Sequence, residues 1–420
     1  MSGSDGKVIA VIGGGISGMT TALEAAEAGQ RVVLIEREPF LGGRVARNAK
    51  YYPKLCPPSS GLEINFRRLK RSRDIRVLTM ARVASVAGGP GHWELGVRVE
   101  PRFVNEKCTA CGKCAEACAT MIPNPFNLGL DQSKGAFLPH PMAFPARYVL
   151  DPKVAAGPDG PKCKAACLYD AIDLADKPQT IKIDAASVVV ATGWKPYDAA
   201  KLVHLGFGKV KNVVTNVIME RFASPTGPTG GKIVRPSDGG PITDIAFAQC
   251  AGSRDENHLP YCSGVCCMAS LKQAALVREQ YPDAKITIHY IDIRAMGKYE
   301  TFYAKLQQDP NIAFVRGVVA KVSADPDTGD PVIESEDTLA GKKSTSRTGM
   351  LVLATGIVPA AGADDCPLPL DRDEFGFLAR RQSKAGLHGA GCASRPNSVA
   401  QCVQEATGAA LKAIQDLAAR

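Results

Sequence analysis

The sequence predicts an α/β protein, because short apolar runs typical of strands alternate with helical segments along most of the 420 residues. Residues 7–12 form the first apolar run, a glycine-rich turn and an alanine-rich segment follow, and residues 31–35 form the next run. A strand, a helix and a strand in this order favour a right-handed βαβ unit with a parallel strand pair. Residues 244–291 show the same alternation, so we expect a second α/β domain.

Changes in composition along the chain predict five segments. Residues 101–178 are dense in Pro, Lys and Cys and have weak helical periodicity, as expected of a small insertion held by metal rather than by its core. The predicted segments are the first part of an α/β domain (1–100), the cysteine-rich insertion (101–178), the return strand of the first domain (179–205), the second α/β domain (206–348) and the closing part of the first domain (349–420).

The 14 cysteines and the net charge of +9 narrow the possible functions. In a chain without a secretory leader, so many thiols indicate metal or redox chemistry rather than disulfides. No nucleic-acid motif accompanies the densest basic run, residues 67–73, and we interpret it as a solvated helix end or a protein-docking face, with no nucleic-acid partner. No stretch reaches the ~20 apolar residues of a membrane span, which predicts a cytoplasmic protein without a direct membrane span.

A dinucleotide-binding fingerprint lies between the first predicted strand and helix. Gly13, Gly15 and Gly18 have the spacing Gly-x-Gly-x-x-Gly. The first glycine permits the tight turn, the second lets a pyrophosphate approach the backbone, and the third lets helix and strand pack closely. The helix N-terminus then directs unpaired N–H groups at the phosphates. Glu36, at the end of the second strand, can hold a ribose hydroxyl.

The residues that follow indicate which dinucleotide binds. A Gly-Gly-Arg turn at residues 42–44 comes just after the ribose carboxylate, and this resembles the FAD-binding flavoproteins of the glutathione reductase and thioredoxin reductase type. Two strands that end in Ala-Thr-Gly, at 191–193 and 354–356, and a Gly-Ala-Gly turn at 389–391 are also similar to that superfamily. The resemblance implies one FAD held by Gly13, Gly15, Gly18, Glu36, Arg37, Gly42, Gly43, Arg44, Thr192, Gly193 and Gly391.

The cysteines of the insertion predict an iron–sulfur cluster. Residues 108–118 have the Cys-x2-Cys-x2-Cys-x3-Cys spacing of bacterial ferredoxins, except that Ala119 replaces the usual proline. Cys163-x3-Cys167 matches only the last two cysteines of a second copy of this motif. A zinc site that uses the same thiols is the alternative for the insertion.

These cysteines provide one complete set of cluster ligands. In the ferredoxin fold, the last cysteine of the second motif supplies the fourth ligand of the first cluster. The predicted ligands of this [4Fe–4S] cluster are Cys108, Cys111, Cys114 and Cys167. Cys118 and Cys163 remain, either as two ligands of a possible second cluster that needs further ligands from elsewhere or as buried thiols.

The second α/β domain carries no nucleotide fingerprint. Its turn, within residues 245–254, has side chains where phosphates would need bare backbone, so we expect no direct reaction with NAD(P)H. Cys262, Cys266 and Cys267 come at the start of the next helix, where thiol pKa values fall, and they are interpreted as structural, reactive or metal-binding. Cys56 is interpreted as structural, or as a neighbour of the flavin or of a partner's cluster. No residue is assigned as a catalytic base.

Four further segments make the chain resemble the A subunit of heterodisulfide reductase. Residues 249–254, 261–268 and 281–297 carry this resemblance, and residues 52–64 are most similar to the short form of that subunit in the quinone-interacting membrane-bound oxidoreductase (Qmo) complex of sulfur-metabolising prokaryotes. The resemblance implies a thioredoxin-reductase-type flavoprotein with a degenerate second nucleotide-binding-like domain and an inserted ferredoxin-like [4Fe–4S] module.

The same resemblance implies a function and partners. Electrons would pass between menaquinol and a soluble acceptor, adenylylsulfate reductase, in dissimilatory sulfur metabolism. The implied complex contains a second flavin and iron–sulfur protein similar to the heterodisulfide reductase A subunit. It also contains a membrane subunit with haem and a quinone site, through which the chain would attach to the inner membrane.

Two other functions remain open at this point. An NAD(P)H-dependent flavoprotein reductase, similar to the small subunit of glutamate synthase, would need a nucleotide site within residues 240–295. A docking scaffold with a structural flavin would hold a flavin that resists reduction by dithionite.

Overall fold

The computed structural model describes residues 8–360, 362 and 366–418, which divide into two compact units. The first unit contains the chain up to Arg47, Ser59–Trp194 and the chain from Pro359 onward. The second unit contains Asn48–Pro58 and Lys195–Val358. Both units mix helices and strands, as predicted. The first α/β domain and the cysteine-rich insertion thus lie in one unit, while residues 48–58 belong to the other.

The described residues form 21 strands, numbered here along the chain. They are β1 (Val8–Ile12), β2 (Val32–Ile35), β3 (Ile75–Leu78), β4 (Ala81–Gly89), β5 (His92–Val99), β6 (Met121–Pro123), β7 (Gln132–Lys134), β8 (Ala136–Phe137), β9 (Val149–Leu150), β10 (Gln179–Val190), β11 (Trp194–Pro196), β12 (Val213–Thr215), β13 (Asp244–Ala251), β14 (Lys285–Tyr290), β15 (Ile312–Arg316), β16 (Val319–Ala324), β17 (Pro331–Asp337), β18 (Lys342–Arg347), β19 (Leu351–Thr355), β20 (Ile357–Pro359) and β21 (Leu387–Gly389).

Nine α-helices connect these strands within the same described residues. They are α1 (Ile16–Glu27), α2 (Ser59–Arg71), α3 (Lys113–Ala117), α4 (Pro152–Ala155), α5 (Asp159–Ala165), α6 (Asn216–Ala223), α7 (Cys266–Gln280), α8 (Tyr299–Gln307) and α9 (Val399–Ala418). No helix in the described parts of the chain is both long and apolar enough to cross a membrane.

The first unit is built on a seven-stranded sheet with the order β3-β2-β1-β10-β5-β4, in which β21 also pairs with β10. The strands β3, β2, β1, β10 and β21 run parallel, and β5 pairs antiparallel with the first half of β10. Helices α1 and α9 pack together, and the hydroxyl of Thr21 in α1 donates to the Ala406 carbonyl in α9. The C-terminal ends of β1, β2 and β10 therefore share one edge, where parallel α/β sheets bind ligands.

The basic run of residues 67–73 lies at the end of α2. Arg67 pairs with Glu63 on the same helix, and Arg68 pairs with Glu27 of α1. Cations near a helix C-terminus are favoured by the helix dipole. This placement agrees with the interpretation of the run as a helix end.

A buried arginine links the insertion to the rest of the first unit. The insertion contains the hairpins β6-β7 and β8-β9 and the short helices α3, α4 and α5. The guanidinium of Arg102 donates to the carbonyls of Tyr148 and Arg147 in the insertion, and to the Pro39 carbonyl and the Thr79 hydroxyl outside it. Burial lowers the pKa of Arg102 to about 9. Arg102 thus connects the two sides of the junction, together with further contacts such as the hydrogen bond from Arg47 to the Phe126 carbonyl.

Replacing Arg102 with leucine is expected to lower the free energy of unfolding by about 3 kcal/mol, because four acceptors would lose their donor in a buried place. Urea denaturation followed by circular dichroism measures the change. Arg98→Leu is the control, since Arg98 lies exposed and pairs with Glu100 on the same strand end. Equal midpoints for the two variants would show that Arg102 is not an anchor.

The second unit is built on a parallel sheet with the order β12-β19-β13-β14-β15 and a separate antiparallel sheet, β16-β17-β18. Helix α7 packs on the parallel sheet, where Leu271 and Ala274 join Phe247 and Ile288 in an apolar core. The pairing of β13 with β19 is interrupted by a bulge between Ala248 and Ala251. The chain leaves the sheet at this bulge and enters the turn that carries no nucleotide fingerprint.

Candidate functional site

The glycine fingerprint forms the turn between β1 and α1. Gly13 has φ +108°, and an added Cβ there would collide with the Ala191 carbonyl. A Cβ on Gly18 would collide with the Gly13 carbonyl, so helix and strand pack closely here. A Cβ on Gly15 would meet no atom within 4 Å. The open space beside Gly15, at the N-terminus of α1, fits a pyrophosphate group.

Glu36 ties this turn to the end of β2. Its Oε2 accepts the Gly14 N–H at 2.6 Å, and its Oε1 accepts the Glu38 N–H at 2.8 Å. Burial raises the pKa of Glu36, and these two N–H donors oppose the rise. Each carboxylate oxygen has a further lone pair, so Glu36 can still accept a ribose hydroxyl.

The Gly-Gly-Arg turn lies directly against the fingerprint. The Gly42 N–H donates to the Gly14 carbonyl at 2.8 Å, and Gly42 and Gly43 both have positive φ. The Arg44 Nε donates to the Trp194 carbonyl at 2.6 Å, and its guanidinium lies over the indole ring, 4.6 Å from the ring centroid. Burial lowers the pKa of Arg44 to about 10. Arg44 is therefore fixed in place, whereas Arg37 is exposed.

The remaining predicted flavin residues lie at the same edge of the sheet. Thr192 and Gly193 follow the end of β10, and the Thr192 backbone lies beside Gly13. Gly391 has φ +62°, and a Cβ there would collide with the Ser17 hydroxyl at the start of α1. The structure thus gathers the predicted FAD residues around the N-terminus of α1, and the set fits the cofactor.

The four predicted cluster ligands line a single cavity in the insertion. These are Cys108, Cys111, Cys114 and Cys167. The left-handed conformations of Ala110 and Gly112 curl the chain between the first three, and Tyr148 and Tyr169 complete the wall. Burial raises the pKa of Cys114 to about 12, and the neighbouring Cys163 and Cys108 thiols add to the rise.

The donor set of this cavity, four cysteine thiols, fits a [4Fe–4S] cluster. Across the residues the structure describes, no three His, Cys, Asp or Glu side chains are arranged to hold a single metal ion. A [4Fe–4S] cluster takes its four cysteine thiolates on different irons, so its ligands surround a volume rather than a point. Four thiols spread around one cavity match that requirement.

Cys118 and Cys163 occupy the apolar core of the insertion instead. They are 1% and 0% exposed. The Cys163 thiol donates to the Cys114 carbonyl at 3.3 Å, and the Cys118 thiol lies 3.6 Å from the Thr120 carbonyl and 3.9 Å from a carboxylate oxygen of Asp159. Side chains fill the surroundings of this pair, so of the two interpretations the structure favours buried thiols.

The second unit assembles four thiols, one more than the sequence indicated. Cys250 adopts φ +57° in the bulge of β13, and the loop after it closes through the Arg254 N–H, which donates to the Tyr261 carbonyl at 3.2 Å. This closure brings Cys262 back toward Cys250 and the start of α7. We call Cys250, Cys262, Cys266 and Cys267 the four-thiol set.

The four thiols influence one another's pKa values. Burial raises the pKa of Cys250 to about 11, and the Cys267 thiol adds to the rise. Burial also raises the pKa of Cys266. The neighbouring Cys267, Cys250 and Cys262 thiols raise it further. The sequence analysis missed Cys250, because it lies 12 positions before Cys262 and only the closed loop brings the two together.

Two residues close in sequence to the four-thiol set carry unpaired polar groups. Both amide atoms of Gln249 and the hydroxyl of Ser270 are buried without a hydrogen-bond partner, and these residues are 5% and 0% exposed. Gln249 immediately precedes Cys250, and Ser270 lies one helical turn after Cys266, on the same helix face. A buried donor without a partner costs about 1–3 kcal/mol. A sulfur atom bound beside Cys266 would accept a hydrogen bond from the Ser270 hydroxyl, and four thiols are the donor set of an iron–sulfur cluster.

Cys56 belongs to neither thiol set. It is exposed in the segment 48–58 of the second unit, where its carbonyl accepts the Tyr51 N–H at 2.8 Å. Nothing in its described surroundings assigns it a ligand role.

Comparison with known proteins agrees with this geometry. Residues 9–85 match the family of FAD-dependent oxidoreductases. An iron–sulfur A subunit (form 2) of CoB–CoM heterodisulfide reductase from Methanopyrus kandleri is 37% identical over 97% of this chain and 64% of its own length. The A subunit of the ferredoxin:CoB-CoM heterodisulfide reductase from Methanosarcina mazei is 37% identical over 97% of this chain and 53% of its own length. The chain therefore spans about half to two thirds of these relatives.

Solved structures establish the fold. The thioredoxin reductase of T. acidophilum is 12% identical with a TM-score of 0.53, and 97% of each chain is covered. The thioredoxin reductase of Lactococcus lactis is 11% identical with a TM-score of 0.55, covering 99% of this chain and 100% of the other. The predicted α/β fold of the thioredoxin reductase type is thus confirmed. The chain is thus similar over nearly its whole length to the A subunit of heterodisulfide reductases, and its residues 9–85 match an FAD-dependent oxidoreductase domain.

Proposed function

We propose that the chain is an electron-transfer subunit that carries FAD in its first α/β domain and a [4Fe–4S] cluster in its insertion. The main support is the cavity lined by Cys108, Cys111, Cys114 and Cys167, which lies in the same compact unit as the fingerprint turn. A flavin exchanges electrons singly or in pairs and a cluster moves one at a time, so the two can link a two-electron donor to one-electron carriers.

The residues of the first unit would bind and orient the flavin rather than transfer protons. The α1 N-terminus and Gly15 would receive the pyrophosphate, Glu36 would accept a ribose hydroxyl, and the fixed Arg44 would maintain positive charge at the site. No step requires a base from the protein, since electron transfer needs only position and a tuned potential.

The four-thiol set extends this proposal to a second iron–sulfur site in the second unit. Its support is the loop closure that returns Cys262 toward Cys250, the influence of the four thiols on one another, and the unpaired Ser270 hydroxyl one turn after Cys266. The same turn carries side chains where a nucleotide-binding turn has glycines, so the second unit would hold a metal group in place of NAD(P)H.

The finer assignment follows the resemblance of residues 52–64 to the Qmo form of the subunit. On this basis electrons would pass between menaquinol and adenylylsulfate reductase. The partners would be a second flavin and iron–sulfur protein together with a membrane haem and quinone subunit, which would place the chain at the inner membrane. The relatives are named as subunits of heterodisulfide reductases, which supports a multi-subunit complex.

The test is an anaerobic cofactor analysis of the purified chain. We expect one FAD and about eight irons per chain, as required for two [4Fe–4S] clusters, with EPR signals after dithionite reduction and no bleaching of the flavin by NADH or NADPH. About four irons would limit the proposal to the cluster in the insertion.

Three outcomes would contradict the proposal itself. Flavin without iron would remove the electron-transfer role of the insertion, and a flavin that dithionite cannot reduce would indicate a docking scaffold. Rapid bleaching by NADH would instead indicate a reductase with a nucleotide site. The Qmo assignment has its own test, which is reduction of the assembled complex by a menaquinol analogue.

A further inference from the structure

Arg254 holds a positive charge at the four-thiol set. It lies at the end of the bulged turn after β13 and has φ +60°, a conformation that arginine rarely adopts. Its Nη1 contacts the Asp292 Oδ1 at 2.5 Å, and its side chain is 26% exposed. Left-handed backbone at a non-glycine residue costs about 1–3 kcal/mol and is retained mainly where function requires it.

Asp292 connects this charge to the thiols. Its carboxylate binds the Arg254 guanidinium, while its backbone carbonyl lies 3.7 Å from the Cys267 Sγ. Arg294 also faces the Asp292 carboxylate, with its Nε at 3.6 Å. Asp292 thus fixes one arginine beside the start of α7 and is shared with a second.

The Arg254 charge also acts on another member of the set. Burial raises the pKa of Cys250, and the Arg254 charge opposes that rise. A guanidinium has five N–H donors, and the structure shows one of them, on Nη1, in contact with Asp292.

We propose that Arg254 is a positioning residue that raises the reduction potential of an iron–sulfur group bound by the four-thiol set. The inference depends on the proposed function, because it requires a group on these thiols. A cluster with four thiolates gains a further negative charge when it accepts an electron, and nearby cations and hydrogen bonds to sulfur stabilise that reduced form. Asp292 maintains the orientation of the guanidinium.

The experiment compares Arg254→Gln, Arg254→Lys and Arg278→Gln in the full chain with its cofactors. Arg278 is a matched control, because it lies near the C-terminal end of α7, away from the thiols at the start of that helix. Its Nε pairs with Asp309 at 2.7 Å. Iron content is measured first, and the potential of each EPR signal is then measured by anaerobic titration with dithionite. We expect a shift to lower potential for Arg254→Gln only, a smaller shift for Arg254→Lys, and the wild-type value for Arg278→Gln.

The outcomes separate this inference from the proposed function. Wild-type chain with only about four irons (one cluster's worth) would remove the second site and the inference with it. Full iron with an unchanged potential in Arg254→Gln would overturn the role of Arg254 and leave the site intact. If Arg254→Gln loses iron, the Arg254→Lys variant decides between the two explanations. A near-native potential in Arg254→Lys would support the role of the charge. Loss of iron in Arg254→Lys as well would contradict that role.

Discussion

Replacing Gly15 with valine is expected to weaken FAD binding by ~100-fold or more, equivalent to about 2.7 kcal/mol, while the fold remains intact. The position has ordinary extended backbone, with φ −73°, and an added Cβ meets no protein atom within 4 Å. The side chain would therefore fit the empty fold but occupy the space assigned to the pyrophosphate. Fluorescence titration of the flavin-free protein with FAD measures the change.

Gly61→Val is the matched control for this prediction. Gly61 lies in α2, where an added Cβ also meets no atom within 4 Å, and it takes no part in the predicted flavin site. Circular dichroism should be native for both variants. If Gly15→Val binds FAD as tightly as Gly61→Val, the pyrophosphate does not lie at the N-terminus of α1.

Replacing Cys111 with serine is expected to remove the [4Fe–4S] cluster of the insertion, a loss of about four irons per chain with the corresponding EPR signal. Cys111 is exposed at the cavity, so the substitution removes a ligand without creating a hole in the core. Flavin content should be unchanged, since the predicted FAD residues lie outside the insertion.

Cys56→Ser is the control, because Cys56 is also exposed and belongs to neither thiol set. It should retain all of its iron. Full iron in Cys111→Ser, or equal loss in both variants, would show that the cavity in the insertion is not the cluster site.

The features that the sequence predicted well are those encoded by local spacing. The fingerprint of residues 13–18 is recognised from its spacing alone, because Gly18 packs against the Gly13 carbonyl within the motif and Gly15 leaves open space at the start of α1. The first three cluster cysteines likewise lie on one short loop. The assignment of Cys167 as the fourth ligand rested on analogy with the ferredoxin fold, and the structure places this residue at the same cavity.

The features that the sequence did not reveal depend on contacts between distant residues. Cys250 joins the four-thiol set only because the bulge in β13 and the closed loop after it bring Cys262 back toward Cys250. The anchoring role of Arg102 depends on carbonyls up to 63 positions away. The burial of Cys118 and Cys163 in the apolar core of the insertion likewise depends on packing between residues distant in sequence.

The anchoring of the insertion by Arg102 determines how the two predicted cofactors of the first unit can communicate. Its donors reach both sides of the junction, and Phe40 adds an edge-on contact with Phe126 of the insertion. The cluster cavity and the flavin turn therefore lie in one compact unit, and we expect the fold to set the distance between them. Electron exchange between the two should be independent of solvent viscosity, unlike a transfer that waits for a tethered domain to swing.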